Sequence, residues 1–473
     1  MKTTIKLFHA FAVFILLASL ASCNNDDPDP VTKNSSKAIS SFSLGSLNLS
    51  VAAVIDESAK TIKADLPSGT DLTKLAPTVT VSDKATVSPA SGVVQDFTKP
   101  VVYTVTSEDG ASQAYTVTLK IIDNGTVYIG NLDGNFYALD ALTGTKKWEF
   151  KTGGAVQSTP TVMDGVVYFA SWDKKIYALD AATGTQKWES APGLLQPFAA
   201  PAIEKGLLYY GGEHYLFALD VATGVVKWKF QDDEVYGWEA SPTVVDGIVY
   251  ASIRGGGSKV GIYGLDALTG ALKWKAAKTH ITESSPAIAN NLLYAGSEYE
   301  GFNAFDIKTG ATKWEYPDAS VVNSSPTISN GTVYFGSGLF GTGTNKILAL
   351  NALTGAKKWE YATDEGTVYY SSPLVADGLV YIGGKSKLYA LDATSGAKKW
   401  IVEPEQNTLI YSGPVIANTL VYIGIGKKVY AFDALNGTKK WEYETSRTID
   451  LSSPCVTDKN GKVFHAGISG MVQ

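Results

Sequence analysis

The stretch "YALDALTGTKKWEF" at 137–150 returns as "YALDAATGTQKWES" at 177–190, and six further copies follow along the chain. Each copy joins two short alternating runs through Asp, Thr and Gly, residues that favour a tight turn. Asp140 and Thr143 have short side chains that can bond to turn backbone, and Gly144 can adopt a positive φ. The stretch therefore predicts a β-hairpin that one architecture uses repeatedly.

A tryptophan ends every copy and sets the period of the repeat. These tryptophans are Trp148, Trp188, Trp228, Trp274, Trp314, Trp359, Trp400 and Trp441. A period of about forty residues with four short strands in each unit indicates a β-propeller. Eight tryptophans predict eight blades, and we expect each indole to pack between neighbouring blades as a structural contact.

Prolines that open the innermost strands predict how the ring closes. They are Pro160, Pro201, Pro242, Pro286, Pro326, Pro373, Pro414 and Pro454. Pro454 follows the last tryptophan, whereas the first repeat has no such proline before it. We therefore expect Cys455 and Val456 to complete blade one, while an extra copy of the second strand, "VFHAG" near Phe464, has no place in this count.

The repeat resembles the tryptophan-docking unit A-x-D-x-x-T-G-x-x-x-W of the pyrroloquinoline-quinone-like propellers, which Ala138, Asp140, Thr143, Gly144 and Trp148 match. The resemblance implies an eight-bladed propeller over residues 123–473. That part of the chain is also similar to the lipoprotein scaffold of the outer-membrane β-barrel assembly machine. The similarity implies a non-catalytic scaffold.

The first residues carry the pattern of a lipoprotein signal. A basic start, an apolar run too short for a comfortable membrane span and "LASC" at 20–23 predict a signal peptide over 1–22 and acylation of Cys23. Residues 23–36 are acidic and polar, as in a flexible tether. We expect an outer-membrane lipoprotein, exposed at the cell surface or else facing the periplasm.

Residues 37–122 read as a separate β domain. Runs such as "TIKADLP" and "VVYTVTSEDG" alternate with period two and end at turn residues. Their length and spacing predict a small Ig-like β-sandwich. The whole chain is thus predicted to be all-β, and this module is expected to act as a spacer.

Composition excludes some partners. The chain has a formal net charge of −6 and a pI near 5.4, whereas a nucleic-acid surface needs a basic stripe. We expect no nucleic-acid partner, a membrane contact through the lipid anchor, a protein or glycan partner, and a monomer.

Signs of catalysis or metal binding are missing from the sequence. The resemblance would imply a quinone held against adjacent cysteines and a calcium ion, but Cys23 and Cys455 are the only cysteines. We expect no catalytic residue, no metal and no cofactor, and consider pyrroloquinoline quinone and calcium unfavoured. The glycine-rich stretches at 254–259 and 338–345 lead into no helix and are predicted loop insertions.

Function is predicted to lie on the face that carries the second-to-third strand hairpins and the crossings between blades. The hairpins contribute Trp172, Glu213, His214, Arg254, Glu298 and Tyr299. The crossings contribute Phe198, Tyr236, Trp238, Glu239, His280, Glu283, Asn323, Tyr369, Tyr370, Tyr411 and Asp450. Aromatic, acidic and amide side chains suit a binding surface, and we expect blades two to five to dominate it. Free variation of loop residues is the competing interpretation.

Three functions remain open from the sequence. The preferred one is a non-catalytic, membrane-anchored binding module or scaffold. The second is a quinone-dependent dehydrogenase-like protein, and the third is a surface glycan-binding protein.

Overall fold

The computed structural model describes residues 33–44, 53–67, 70–122, 124–193, 197–212, 214–231, 237–238, 240–253, 261–277, 284–297, 301–319, 322–338, 345–363 and 370–465. The chain divides into two compact units near residue 118, with the short segment 64–73 grouped with the second unit. Within the described ranges, no helix is long and apolar enough to cross a bilayer. The predicted signal peptide, Cys23 and most of the tether lie outside these ranges.

The described part of the N-terminal module contains seven strands and one 3-10 helix. They are β1 (Ile39–Ser43), β2 (Val54–Asp56), β3 (Thr61–Pro67), the helix (Leu72–Lys74), β4 (Thr78–Val81), β5 (Thr86–Ser88), β6 (Val101–Thr106) and β7 (Ser112–Ile122). Strands β1 and β4 form one sheet, and the other sheet has the order β2-β3-β7-β6-β5.

Alternation places one face of each of these sheets in the core. On β6, Tyr103 and Val105 are fully buried, whereas Val102, which points to the opposite face of the strand, is exposed. Phe42 of the smaller sheet meets Tyr103 of the larger sheet edge to face at 5.6 Å. This confirms the predicted Ig-like sandwich.

The second unit consists of eight sheets. Blade one contains β8 (Thr126–Gly130), β9 (Asn135–Asp140) and β10 (Lys146–Lys151). Blades two to four contain β11 (Thr161–Met163), β12 (Val166–Ser171), β13 (Lys175–Asp180), β14 (Gln186–Ser190), β15 (Ala202–Glu204), β16 (Leu207–Gly211), β17 (Tyr215–Asp220), β18 (Val226–Gln231), β19 (Thr243–Val245), β20 (Ile248–Ile253), β21 (Gly261–Asp266) and β22 (Leu272–Ala277).

The remaining strands complete the ring. Blades five to eight contain β23 (Ala287–Ala289), β24 (Leu292–Gly296), β25 (Phe302–Asp306), β26 (Thr312–Tyr316), β27 (Thr327–Ser329), β28 (Thr332–Ser337), β29 (Lys346–Asn351), β30 (Lys357–Ala362), β31 (Leu374–Ala376), β32 (Leu379–Gly384), β33 (Lys387–Asp392), β34 (Lys398–Val402), β35 (Val415–Ala417), β36 (Leu420–Ile425), β37 (Lys428–Asp433) and β38 (Lys439–Glu444). The chain then returns as β39 (Cys455–Thr457) and β40 (Val463–His465).

Every blade is joined to the next by its tryptophan. The indole N–H donates to a backbone carbonyl of the following blade at 2.8–3.1 Å in all eight cases. The last of these bonds runs from Trp441 to Ala141 and joins blade eight to blade one. The eight blades therefore form a closed ring, in which each tryptophan contacts the blade that follows its own.

A tyrosine on the second strand of each blade reinforces the same joint. Its hydroxyl donates at 2.9–3.5 Å to the carbonyl that the indole already uses, as Tyr381 and Trp400 do at Ala434. Burial raises the pKa of Tyr381 to about 12, so its hydroxyl stays a neutral donor. The tyrosine recurs in every repeat, 19–25 residues before the tryptophan, but its role was not predicted.

The closing segment pairs as expected and also places the extra strand. Strand β39 pairs with β8, so that Val456 lies opposite Val127 in blade one. Strand β40 pairs with the other edge of β39 and makes blade one a five-stranded sheet. It contacts β11 and β35, the first strands of the two flanking blades. The copy near Phe464 thus lies on the bore side of the ring.

A turn can require glycine because its φ is positive or because a side chain would clash with a neighbour. Two turn glycines of blade two separate these two reasons. Gly165 and Gly184 both have a φ of +72°, but a Cβ would meet nothing within 4 Å at Gly165 and the Trp148 ring at 2.7 Å at Gly184. We expect Gly165→Ala to lower the free energy of unfolding by about 1 kcal/mol through backbone strain. Gly184→Ala should cost roughly 1–3 kcal/mol more because the ring must move.

Urea denaturation of the two variants beside the unmodified chain measures this difference. Equal losses in the two variants would contradict a packing role for the glycine next to the tryptophan.

Candidate functional site

Strand order brings the predicted hairpins and crossings to one face of the ring, called here the crossing face. Crossing residues donate their N–H groups to hairpin carbonyls, as Val156 does to Asn131 at 2.9 Å and Ile449 to Gly426 at 2.7 Å. The Asp-x-x-Thr-Gly turns lie at the opposite ends of the strands and define the turn face.

One position in each crossing is a core position, and this corrects the prediction for Trp238. Val156, Val322, Ile410 and Ile449 are buried against a glycine of the second strand. Trp238 occupies the same position, packed on Gly211 with none of its surface exposed. It meets the Tyr263 ring at 5.2 Å. The prediction that Trp238 belongs to an exposed binding surface is wrong.

The next residue in several crossings faces the mouth of the ring. Gln157 and Asp450 follow Val156 and Ile449, and the Gln157 amide donates to the Asp450 carboxylate at 2.6 Å. Burial raises the pKa of Asp450, and this hydrogen bond opposes the shift. The bond therefore links the crossing that leaves blade one with the crossing that enters it.

Aromatic pairs lie on both sides of this bond. Tyr370 and Tyr411 meet edge to face at 5.2 Å, and Trp172 meets Phe198 in the same way at 5.6 Å. Trp172 is 40% exposed and is the one large apolar side chain on the described part of the crossing face with that much exposure. We call Tyr370, Tyr411, Asp450, Gln157, Phe198 and Trp172 the mouth arc; it follows five consecutive crossings.

A chain of hydroxyl groups supports the mouth arc. Six crossings donate a backbone N–H at 2.8–3.1 Å to the hydroxyl of the residue just before the next strand-opening proline. In the other two crossings the bond is missing, because the residues before the next proline are Ala200 and Gly413, which have no hydroxyl. Such side-chain bonds from blade to blade hold neighbouring crossings in fixed positions. The Ser-Pro pairs in the sequence signalled this arrangement, but its role was not predicted.

The other predicted rim residues are divided between described and undescribed parts. His214 is exposed, and Asn323 is half-buried in the crossing from blade five to blade six. The remaining ones lie outside the described residues: Glu213, Tyr236, Glu239, Arg254, His280, Glu283, Glu298, Tyr299 and Tyr369. The aromatic pairs described on this face lie in the crossings that enter blades seven and eight, and on blade two with the crossing that leaves it. The expected weight of blades two to five stays a prediction.

The turn face carries two grooves that were not predicted. The larger, of about 850 Å³, lies between blades one and two beside Lys147. The smaller, of about 380 Å³, lies between blades six and seven beside Lys358. In the other six blades this lysine pairs with the turn aspartate at 3.0–3.5 Å, whereas here it donates to Thr126 and Thr332.

The described residues show no metal-binding cluster of three or more His, Cys, Asp or Glu. Cys455 is buried without a disulfide partner, and burial raises the pKa of its thiol. Strand β40 lies on the bore side at blade one. These residues do not fit a quinone held by paired cysteines and calcium, and no chemical step through such a group follows from them.

Two family models match the chain. The model described as "Outer membrane protein assembly factor BamB" matches residues 116–252, 196–339 and 321–473. The chain belongs to this family of PQQ-like propellers. The model described as "SGBP, N-terminal" matches residues 39–119, which cover the Ig-like module. No curated protein sequence matches significantly.

Solved structures share the propeller fold. BamB from Moraxella catarrhalis is 19% identical, with 65% of this chain and 90% of that chain covered and a TM-score of 0.50. The dihydro-heme d1 dehydrogenase NirN is 13% identical, with 70% of this chain and 75% of that chain covered and a TM-score of 0.58. The quinohemoprotein alcohol dehydrogenase ADHIIG from Pseudomonas putida HK5 is 20% identical, with 67% of this chain and 70% of that chain covered and a TM-score of 0.50. At these identities the likeness extends to the fold alone.

Proposed function

We infer that this chain is a non-catalytic binding module, anchored to the outer membrane through Cys23, and that it captures a glycan on the crossing face. The mouth arc is the observation that carries this. Its two aromatic pairs flank a hydrogen-bonded carboxylate and carboxamide. Aromatic faces pack on the apolar faces of sugar rings, and carboxylate and amide groups bond to neighbouring hydroxyls.

The N-terminal module supports the same ligand class. The family that matches residues 39–119 takes its name from surface glycan-binding proteins. We propose that the module acts as a spacer between the lipid anchor and the propeller and that the chain lies at the cell surface.

A protein partner is the second candidate, because the family that matches the propeller is described as an assembly factor. A protein would use the same exposed aromatic residues as anchors. A quinone-dependent oxidation is the third candidate, and the free Cys455 and the strand on the bore side argue against it.

Substitutions in the mouth arc test the proposal. In a chain that binds a glycan on an oligosaccharide array, Tyr370→Ala with Tyr411→Ala, and Trp172→Ala alone, should each raise the dissociation constant about tenfold or more. The unfolding midpoint of Trp172→Ala should stay unchanged because the side chain is 40% exposed. Leu353→Ala on the turn face is the matched control and should bind normally.

Each alternative has its own signature in the same set of measurements. Loss of binding in the Leu353→Ala control alone would place the site on the turn face. Failure to bind any glycan, together with a cross-linked partner at Trp172, would favour the protein scaffold. Saturable absorbance changes on adding pyrroloquinoline quinone and calcium would revive the dehydrogenase.

A further inference from the structure

The chain of hydroxyl groups on the crossing face is interrupted at two places. By analogy with the six bonded crossings, the N–H groups of Thr159 and Ser372 should donate to side chains at positions 200 and 413, but these are Ala200 and Gly413. Within the described part of the chain, no other group accepts a hydrogen bond from either N–H. We call Thr159 with Ala200 the first gap and Ser372 with Gly413 the second gap.

The blades on either side of each gap remain in contact. At the first gap the Ser158 hydroxyl donates to the Ala199 carbonyl at 2.7 Å, and the Thr161 hydroxyl donates to the Pro201 carbonyl at 2.6 Å. At the second gap, strand β31 of blade seven contacts strand β35 of blade eight. Each gap is therefore the loss of one acceptor from a frame that is otherwise in place.

An aromatic pair of the mouth arc bridges each gap. Tyr370 and Tyr411 belong to the crossings before and after the second gap, and their rings meet at 5.2 Å. Trp172 donates its backbone N–H to Ala155 in the crossing before the first gap. Its ring meets that of Phe198, in the crossing after this gap, at 5.6 Å. The four aromatic residues of the mouth arc therefore flank the two places where an acceptor is lost.

The chemistry of the intact positions indicates what would fill the gaps. In six crossings the acceptor is a serine or threonine hydroxyl, and a sugar hydroxyl is the same chemical group. Thr159 and Ser372 are half-buried, so a ligand oxygen that accepts from their N–H groups would satisfy donors with limited access to water. The neighbouring aromatic ring can pack on the apolar face of the same sugar.

We propose that the two gaps are sugar subsites, in which ligand hydroxyls accept hydrogen bonds from the N–H groups of Thr159 and Ser372. The inference rests on the glycan ligand of the proposed function and deepens it by assigning two donors. The crossings between the subsites stay bonded, from Gly413 to Ser453 at 2.8 Å and from Ser453 to Thr159 at 3.1 Å. Subsites held at a fixed separation favour an oligosaccharide over a single sugar.

Restoring the hydroxyl groups tests the proposal. Ala200→Ser adds one oxygen atom at the first gap, and Gly413→Ser is compatible with the backbone because Gly413 does not have a positive φ. Each new hydroxyl should accept from the N–H in place of the ligand. We expect each substitution to raise the dissociation constant of the strongest-binding oligosaccharide on the array about three- to tenfold. The unfolding midpoint should stay the same or rise.

Two variants serve as matched controls. Gly413→Ala adds a Cβ without an acceptor and should bind like the unmodified chain. Ser325→Ala removes the acceptor of the Ser285 N–H, bonded at 3.0 Å outside the mouth arc. It should lower the unfolding midpoint and leave binding intact. Unchanged binding in both serine variants, or an equal loss in Gly413→Ala, would overturn the subsites, whereas the proposed function would stand if Trp172→Ala still lost binding.

Amide hydrogen exchange, read at single residues by mass spectrometry with electron-transfer fragmentation, tests the two donors without a ligand. The amides of Thr159 and Ser372 should exchange faster than that of Ser285, and Ala200→Ser should slow exchange at Thr159. Equal protection of all three amides in the unmodified chain would overturn the gaps. If no oligosaccharide on the array bound, the sugar subsites would fall together with the proposed function.

Discussion

A chain that ends after Ser453 is expected to lose the stable propeller. It lacks β39, whose Cys455 and Val456 are fully buried in blade one and paired with β8. Without them β8 becomes an open edge, and the joint between blades eight and one loses packing on both sides. We expect a loss of more than about 5 kcal/mol in the free energy of unfolding, seen as protease sensitivity and an early urea transition.

The matched control ends after Lys459. Like the shorter chain it lacks β40 and the residues after it, but unlike the shorter chain it retains β39. This longer chain should unfold close to the intact one, because β40 adds one short strand to a sheet that is already joined. If both truncated chains unfolded alike, closure of the ring would not depend on β39.

Trp441→Ala is expected to lower the free energy of unfolding by about 3–5 kcal/mol. The ring of Trp441 is 8% exposed and lies against Gly144 of blade one, so its removal leaves a cavity at the closing joint. Trp441→Phe should cost only about 1 kcal/mol, because Tyr422 still donates to the Ala141 carbonyl at 2.9 Å. Urea denaturation measures both.

Trp359→Ala serves as the comparison at an internal joint. Its indole is also 8% exposed and bonds to Ala393 at 3.0 Å. In a closed ring no joint is terminal, and the two alanine variants should lose similar amounts. A much smaller loss at Trp441 than at Trp359 would indicate a weak or open joint between blades eight and one.

Most of the fold could be predicted because the same pattern of strands, turn and tryptophan occurs eight times in the sequence. Trp148 and Gly144 carry the joint and the turn, and Pro454 after the last tryptophan indicates the closing strand. The strand near Phe464 could not be placed, because a fifth strand in one blade breaks the repeat and only pairing with β39 locates it.

The candidate site was less predictable, since exposure depends on which way a crossing residue turns. The sequence suggests a rim position for Trp238 because this tryptophan lies outside the eight repeat positions. Aligning the crossings on their prolines would have shown Val156, Val322 and Ile410 at its position. The Gln157–Asp450 bond joins residues 293 apart and leaves no local signal in the sequence.

Blade one is built from both ends of the propeller, and Thr126 and Thr457, which meet in it, are 331 residues apart. During synthesis this sheet stays unfinished until β39 has emerged, since contacts so distant in sequence form last. The seven blades that precede it can pair their own strands earlier, whereas the ring stays open until Cys455–Thr457 pair with β8. A late-emerging strand of three residues therefore controls when the propeller becomes a closed structure.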